Sequence, residues 1–138
     1  MKAKQILIVD EERWYAEAIF QRILAEFNAP IYDYVVNGED ALSCLTSTPY
    51  EVVILDLMLP LGESLSLPEN EPDLMYGIYI LRRIRETNKT LPVVCFTILG
   101  EEKIKKQIKE LNATYIHKLD DNGFDKLFME LGILERNE

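Results

Sequence analysis

Four short apolar runs in this chain each end in a residue able to do chemistry. Ile6-Leu7-Ile8-Val9 leads into Asp10-Glu11-Glu12, and Val52-Val53-Ile54-Leu55 leads into Asp56. Val93-Val94-Cys95-Phe96 leads into Thr97, and Tyr115-Ile116-His117 leads into Lys118. Acid, acid, hydroxyl and ammonium therefore follow in order along the chain. A carboxylate at the C-terminal end of a buried strand is where open α/β sheets place their chemistry. If the first and third runs are neighbouring strands, Asp10, Glu11 and Asp56 share one cleft. Like charges that close are unfavourable unless a cation neutralises them. Oxygen-only ligands, without His or Cys, suit a hard ion, most naturally Mg²⁺.

Each residue also has a plainer reading. Asp10 can N-cap the following helix while Glu11 and Glu12 oppose its dipole, and for that cluster taken alone capping is the better reading. Asp56 is different, because a long loop follows it and an acid ending so apolar a strand needs a partner. A lysine among carboxylates neutralises them or grips an anion as a point charge, although Lys118 alone is also an ordinary strand-end lysine. Thr97 alone is a β-branched strand residue. Tyr115 reads as a half-buried strand aromatic, and His117, the one histidine, as a non-catalytic strand residue. Trp14 reads as packing or an exposed contact.

Hydrophobic period locates the elements that must position these residues. Strands are expected over 5–9, 31–36, 51–55, 92–97 and 113–117, three of them almost purely apolar, as in parallel strands buried on both faces. Helices are expected over 12–27, 39–47, 77–87, 101–111 and 123–135. In the first, Ala16, Ile19, Phe20, Ile23, Leu24 and Phe27 form one face. In the third, Ile78, Leu81 and Ile84 oppose Arg82, Arg83 and Arg85. Alternation of this kind implies a parallel sheet with helices on both faces, and right-handed crossovers leave only a few doubly wound topologies. One segment breaks the rhythm. Pro60 to Asp73 is rich in proline and polar residues and longer than the usual connection of about 4–6 residues. Long loops in compact domains are usually functional or disordered, and this one begins beside Asp56.

At 138 residues the chain fits one domain over 1–138 with one core. A net charge of −9 argues against non-specific binding to nucleic acid or an anionic membrane. No apolar run approaches the roughly 20 residues a membrane helix needs. The start Met1-Lys2-Ala3-Lys4 leads straight into a strand rather than a signal peptide, so a cytoplasmic protein is expected. Cys44 and Cys95 then read as reduced thiols.

Taken together, the acid pair after the first strand, Asp56, Thr97 and the Tyr115–Lys118 spacing resemble the receiver domain of bacterial two-component response regulators. The stretch Tyr76-Gly77-Ile78-Tyr79-Ile80-Leu81-Arg82-Arg83-Ile84-Arg85 also resembles that family's third helix. The resemblance covers essentially the whole chain. It implies a flavodoxin-like α/β fold: a doubly wound five-stranded parallel sheet of order 2-1-3-4-5 with five helices. It implies that Asp56 accepts a phosphoryl group from a sensor histidine kinase or a histidine phosphotransfer protein. Mg²⁺ would be held by Asp10, Glu11, Asp56 and the main-chain carbonyl of Met58. Lys118 would bind a phosphoryl oxygen, Thr97 would swing to bond another, and Tyr115 would follow inward. The surface of the fourth helix, fifth strand and fifth helix would then change. Such a protein is a phosphoacceptor that assists its own phosphorylation and dephosphorylation, not an enzyme acting on free substrates. Because little chain follows the fifth helix, output is expected through a downstream protein, without direct nucleic-acid or membrane contact, from a monomer or a phosphorylation-dependent homodimer.

The chain departs from that family in four places. The second acid is Glu11, one methylene longer than aspartate. Leu119 follows the lysine where the family usually has a proline in a cis peptide, so the turn there is expected to differ. Ile98 stands where a small residue is usual and narrows access to Asp56. The loop after Asp56 is roughly ten residues longer than usual, placed either over the acceptor or as a contact surface. Three rival classes are weaker. A phosphorylation-independent adaptor would not need the intact acid, threonine and lysine set. An aspartate-nucleophile phosphatase usually has a second Asp two residues after the first, where this chain has Met58. A flavin site would need a Ser/Thr/Gly-rich loop after the first strand.

Overall fold

The computed structural model describes residues 5–26, 31–71 and 75–136. Strands and helices alternate: β1 (Gln5–Val9), α1 (Arg13–Glu26), β2 (Ile31–Val35), α2 (Gly38–Ser47), β3 (Val52–Leu55), α3 (Tyr76–Thr87), β4 (Val93–Thr97), α4 (Glu102–Glu110), β5 (Thr114–His117) and α5 (Gly123–Arg136). All strand pairs are parallel, in the order β2-β1-β3-β4-β5. The expected elements are all present, with ends displaced by a residue or two where helices and strands fray.

The two-residue period of a strand sends alternate side chains to opposite faces. Leu7, Val9, Val53, Leu55, Val93 and Cys95 face a core closed by Ala41 of α2, Ile78 and Leu81 of α3 and Ile108 of α4. Ile6, Ile8, Val52, Ile54, Val94 and Phe96 face a second core closed by Ala16, Ile19 and Ile23 of α1 and Leu127 of α5. Burying an aliphatic side chain of this size contributes about 1.5–3 kcal/mol. The central strands, buried on both faces, are therefore the firmest part of the molecule, and they carry Asp10, Asp56 and Thr97 at their ends.

Register then aligns those ends. Val9 lies opposite Leu55, and Leu55 opposite Cys95. The ladder continues one residue past the strands: Asp56 N–H donates to the Val9 carbonyl at 2.9 Å, Asp10 N–H to Val35 at 3.1 Å and Lys118 N–H to Thr97 at 2.9 Å.

Two helical expectations need correction. Leu24 is 56% exposed, because the buried stripe of α1 is narrower than expected and runs through Ala16, Ile19 and Ile23, with Phe20 at its edge against Tyr32 and Tyr34. Phe27 lies outside the described residues. Arg85 does not lie on an exposed charged face of α3 but is buried. Its guanidinium donates to the carbonyls of Leu111 (2.7 Å), Asn88 (3.1 Å), Leu91 (2.8 Å) and Asn112 (3.0 Å). The fork of donors satisfies the backbone where α3 and α4 end, which an aliphatic residue could not do.

The long segment after Asp56 is irregular through residue 71 and fastened at both sides. Gly38 and Glu39, opening α2, donate backbone N–H groups to the carbonyls of Pro60 (2.9 Å) and Leu61 (2.6 Å). Ser64 N–H donates to the Glu39 carboxylate at 3.2 Å, and hydrogen bonds from Ser64 hold that carboxyl below its ordinary range. Glu71 receives both of its hydrogen bonds from Arg82 of α3, at 2.7 and 2.9 Å. Leu59 and Leu61 are buried, and Leu65 and Leu67 pack on the same core. Gly62 turns the chain at φ +108°, a conformation that side chains disfavour. The described part of the insert is thus a wall on the α2–α3 side, and none of these contacts involves Asp56. Residues 72–73 of the insert lie outside the described residues.

The start of α3 closes on the backbone that follows Asp56. Met75 provides no side-chain cap, and Gly77 N–H donates instead to the Leu57 carbonyl at 3.1 Å. A Cβ on Gly77 would stand 2.3 Å from the Leu57 Cα. Gly77→Ala is expected to push α3 outward and cost about 2–3 kcal/mol, read as a lower urea midpoint with little change in slope.

Candidate functional site

Four of the five buried polar or charged residues among those described lie at one end of the sheet: Asp10, Asp56, Thr97 and Lys118. The Lys118 ammonium bridges the two acids, with Nζ 2.8 Å from Asp10 Oδ2 and 3.1 Å from Asp56 Oδ2. The second oxygen of each acid is also engaged. Asp10 Oδ1 accepts from Glu12 N–H at 2.8 Å, and Asp56 Oδ1 accepts from Met58 N–H at 3.2 Å. The Asp10 bond is of the kind the capping reading expects, in the turn ahead of α1, whereas the Asp56 bond depends on the turn that follows its strand.

Burial sets the electrostatics. Desolvation pushes Asp10 up from 3.8 to about 6, against the opposing pull of Lys118. Burial pulls Lys118 down, but Asp10 and Asp56 together outweigh it and hold its ammonium above the ordinary range. The two shifts describe one arrangement: the lysine stays charged, and Asp10 is pushed toward protonation.

Thr97 and Tyr115 meet through a third residue. Leu99 N–H donates to Thr97 Oγ1 at 3.3 Å, and Tyr115 Oη donates to the Leu99 carbonyl at 2.7 Å. Glu11 is exposed, and among the described residues no three His, Cys, Asp or Glu side chains gather as a metal cluster. A cleft of about 400 Å³ is lined by Glu11 and Glu12 after β1, Met58 and Pro60 after β3, and Met75 and Tyr76 at the start of α3. Ile98 is 37% exposed and Leu119 is 66% exposed. No cis peptide occurs among the described residues. The turn after Lys118 is held by His117, whose Nδ1 accepts from Leu119 N–H at 3.0 Å, and by the Lys126–Asp120 pair at 2.7 Å. His117 therefore has a structural role, in line with the sequence reading.

One neighbour of the site was missed. The Lys118 ammonium lies 4.1 Å from the centre of the Tyr15 ring. Nothing in the local pattern of α1 separates Tyr15 from an ordinary packing aromatic.

The family model for the response regulator receiver domain matches residues 6–122. This chain belongs to that family. A receiver is a signalling domain of two-component systems. Among curated relatives, the transcriptional regulatory protein DltR of Streptococcus agalactiae is 30% identical over 115 residues, covering 83% of this chain and 45% of that protein. The receiver thus spans about half the length of the curated relatives it matches. Among solved structures, the Francisella response regulator 1452 receiver domain superposes with a TM-score of 0.75 at 22% identity, covering 98% of this chain and 99% of that one. Thermotoga maritima TrrA, solved in complex with Mg²⁺–BeF, superposes with a TM-score of 0.69 at 24% identity, covering 95% and 98%. These likenesses carry the fold. Among the described residues, no helix is long and apolar enough to cross a membrane.

The Asp10 shift has a definite sign in stability. Between about pH 4 and 6 the folded receiver binds a proton at Asp10 that the unfolded chain does not. Stability from this group is therefore greatest below its unfolded value of 3.8 and is lost as pH rises through about 6. The shift, already net of the pull of Lys118, corresponds to at most about 3 kcal/mol. Without metal, Asp10→Asn is expected to be about 1 kcal/mol more stable than the parent near neutral pH, with the gain vanishing near pH 4. Urea unfolding at the two pH values measures it.

Proposed function

We propose that Asp56 is the phosphoacceptor of this receiver, loaded from a phosphohistidine on a sensor histidine kinase or a phosphotransfer protein. The observation that carries the reading is Lys118, buried and bridging Asp56 to Asp10. In the transfer, an Asp56 oxygen attacks phosphorus in line with the leaving imidazole. The P–N bond breaks with its electron pair staying on nitrogen, and an acyl phosphate forms on Asp56. Little covalent help is needed from the protein, so positioning and charge neutralisation carry the catalysis.

Mg²⁺ fits this donor set. Two buried carboxylates share one ammonium, so with both ionised the pocket has an excess of negative charge that suits a hard cation. The residues to hold it are Asp10, Glu11 at the cleft mouth, Asp56 and the Met58 carbonyl. The Mg²⁺–BeF complex of TrrA, a structure of the same fold, supports Mg²⁺ binding as such. When bound, the ion neutralises charge on the phosphoryl oxygens. For Asp10 to serve, Lys118 must leave its Oδ2 and take a phosphoryl oxygen.

The Thr97 hydroxyl accepts from Leu99 but keeps its own proton to donate to a phosphoryl oxygen. A swing of Thr97 releases the Leu99 N–H, and the Leu99 carbonyl already holds the Tyr115 hydroxyl. The Leu99 backbone thus couples the acceptor to a face built by α4, β5 and α5, which a downstream protein would read. Signalling of this kind belongs in the cytoplasm, with no direct membrane or nucleic-acid contact by these residues. Met58 and Leu99 give an attacking water no polar handle, so hydrolysis of the acyl phosphate is slow.

Incubation with acetyl phosphate and Mg²⁺ is expected to add one phosphoryl group by intact mass, and none to Asp56→Asn. No gain in mass, with no response to beryllofluoride and Mg²⁺, would favour a phosphorylation-independent adaptor. After removal of the donor, the modified mass is expected to persist for minutes or longer; a half-life of seconds contradicts the apolar-flank argument.

A further inference from the structure

Lys118 is almost fully buried, and a buried ammonium is costly without partners. Two of its partners, Asp10 and Asp56, are the groups that phosphoryl transfer takes for other purposes. The third contact is the face of Tyr15, 4.1 Å from Nζ. An aromatic face attracts a cation through its quadrupole but offers no oxygen to a hard metal ion.

The ring is held in place on several sides. Trp14 meets it edge-on at 4.7 Å between centroids, and Phe96 does so at 6.2 Å. Phe124 of α5 stacks on it at 6.2 Å and in turn meets Phe96 at 5.3 Å. Phe96 itself is buried in the sheet. The Tyr15 face therefore has a fixed position set by α1, β4 and α5.

We propose that Tyr15 is a positioning residue for Lys118: its ring holds the ammonium beside Asp56 while the carboxylates change partners during phosphorylation. The proposal rests on Asp56 being the acceptor. The metal-free pairs hold Lys118 at the entrance state, and the ring is the contact that persists once Asp10 is withdrawn. Loss of the ring face leaves the lysine dependent on the carboxylates it must release.

The test uses Tyr15→Leu, which removes the face, Tyr15→Phe, which keeps it, and Phe20→Leu, which loosens the packing of α1 on Tyr32 and Tyr34 outside that aromatic stack. Phosphorylation by acetyl phosphate at saturating Mg²⁺ is followed by intact mass. Tyr15→Leu is expected to be about 5- to 30-fold slower, the range of a desolvated cation–π contact. Tyr15→Phe and Phe20→Leu are expected within about twofold of the parent, Phe20→Leu with a lower melting temperature. An unchanged rate in Tyr15→Leu overturns the proposal. So does equal slowing by Phe20→Leu, which would assign the effect to general packing of α1, or by Tyr15→Phe, which would assign it to the hydroxyl.

A second readout needs no phosphorylation. The Lys118 ε-methylene protons are expected to show an upfield ring-current shift in the parent and Tyr15→Phe, lost in Tyr15→Leu. Absence of that shift in the parent overturns the contact itself. If the shift is present and the parent accepts no phosphoryl group, the acceptor reading fails and the positioning role fails with it.

Discussion

Two aspartates share one ammonium where water hardly reaches, and most of this receiver is arranged around that fact. Asp10, Asp56 and Lys118 are each at most 4% exposed. None of the three is tolerable there alone, because an unpaired buried charge costs several kcal/mol. Together they are still one positive charge short. That excess of negative charge favours a cation, and burial by itself drives Asp10 toward protonation. The fold carries this strain because the strands delivering the acids are buried on both faces and locked in register. Stability elsewhere holds the charges where chemistry needs them.

The firm and the adjustable parts of the molecule are separated by what holds them. The backbone after Asp56 is closed by α3 through Gly77 and by α2 through the Pro60 and Leu61 carbonyls. The far end of α4 is clamped by the Arg85 guanidinium. Its near end depends on the short segment around Leu99, whose backbone answers to Thr97 on one side and Tyr115 on the other. A helix fixed at one end and governed by two hydrogen bonds at the other is an element that a small change at Thr97 can bias. The insert after Asp56 belongs to the firm part as far as residue 71. Its leucines extend the core, and its polar ends bind α2 and α3, so it widens the cleft wall beside Met58 and Tyr76.

How much of this was legible in the sequence follows from what each feature depends on. Strands and helices were legible because their periods are local, and the parallel order followed from their alternation. Asp56, Thr97 and Lys118 stood out because each ends an apolar run. Arg85 did not: a charged residue beside Arg82 and Arg83 has the pattern of a solvated face, and only the carbonyls of the facing turn make its burial tolerable. Leu24 failed for the opposite reason, since hydrophobicity does not say where a helix's neighbour stops. The insert was recognisable as unusual but not as fastened, because its partners, Glu39 and Arg82, lie 25 and 11 residues away.

The sequence by itself determined the α/β alternation, the sheet class, the family and the identity of the acids, hydroxyl and lysine at the strand ends. Those properties depend on residue type and short-range spacing, which a linear chain carries completely. Tertiary structure alone decided which charges meet. It brought Lys118 within 2.8 Å of Asp10 from the far end of the chain and left Glu11 exposed one residue from a buried acid. It also set the Tyr15 ring against the ammonium. Electrostatics depends on distance in space and on burial, and neither is a property of position along the chain.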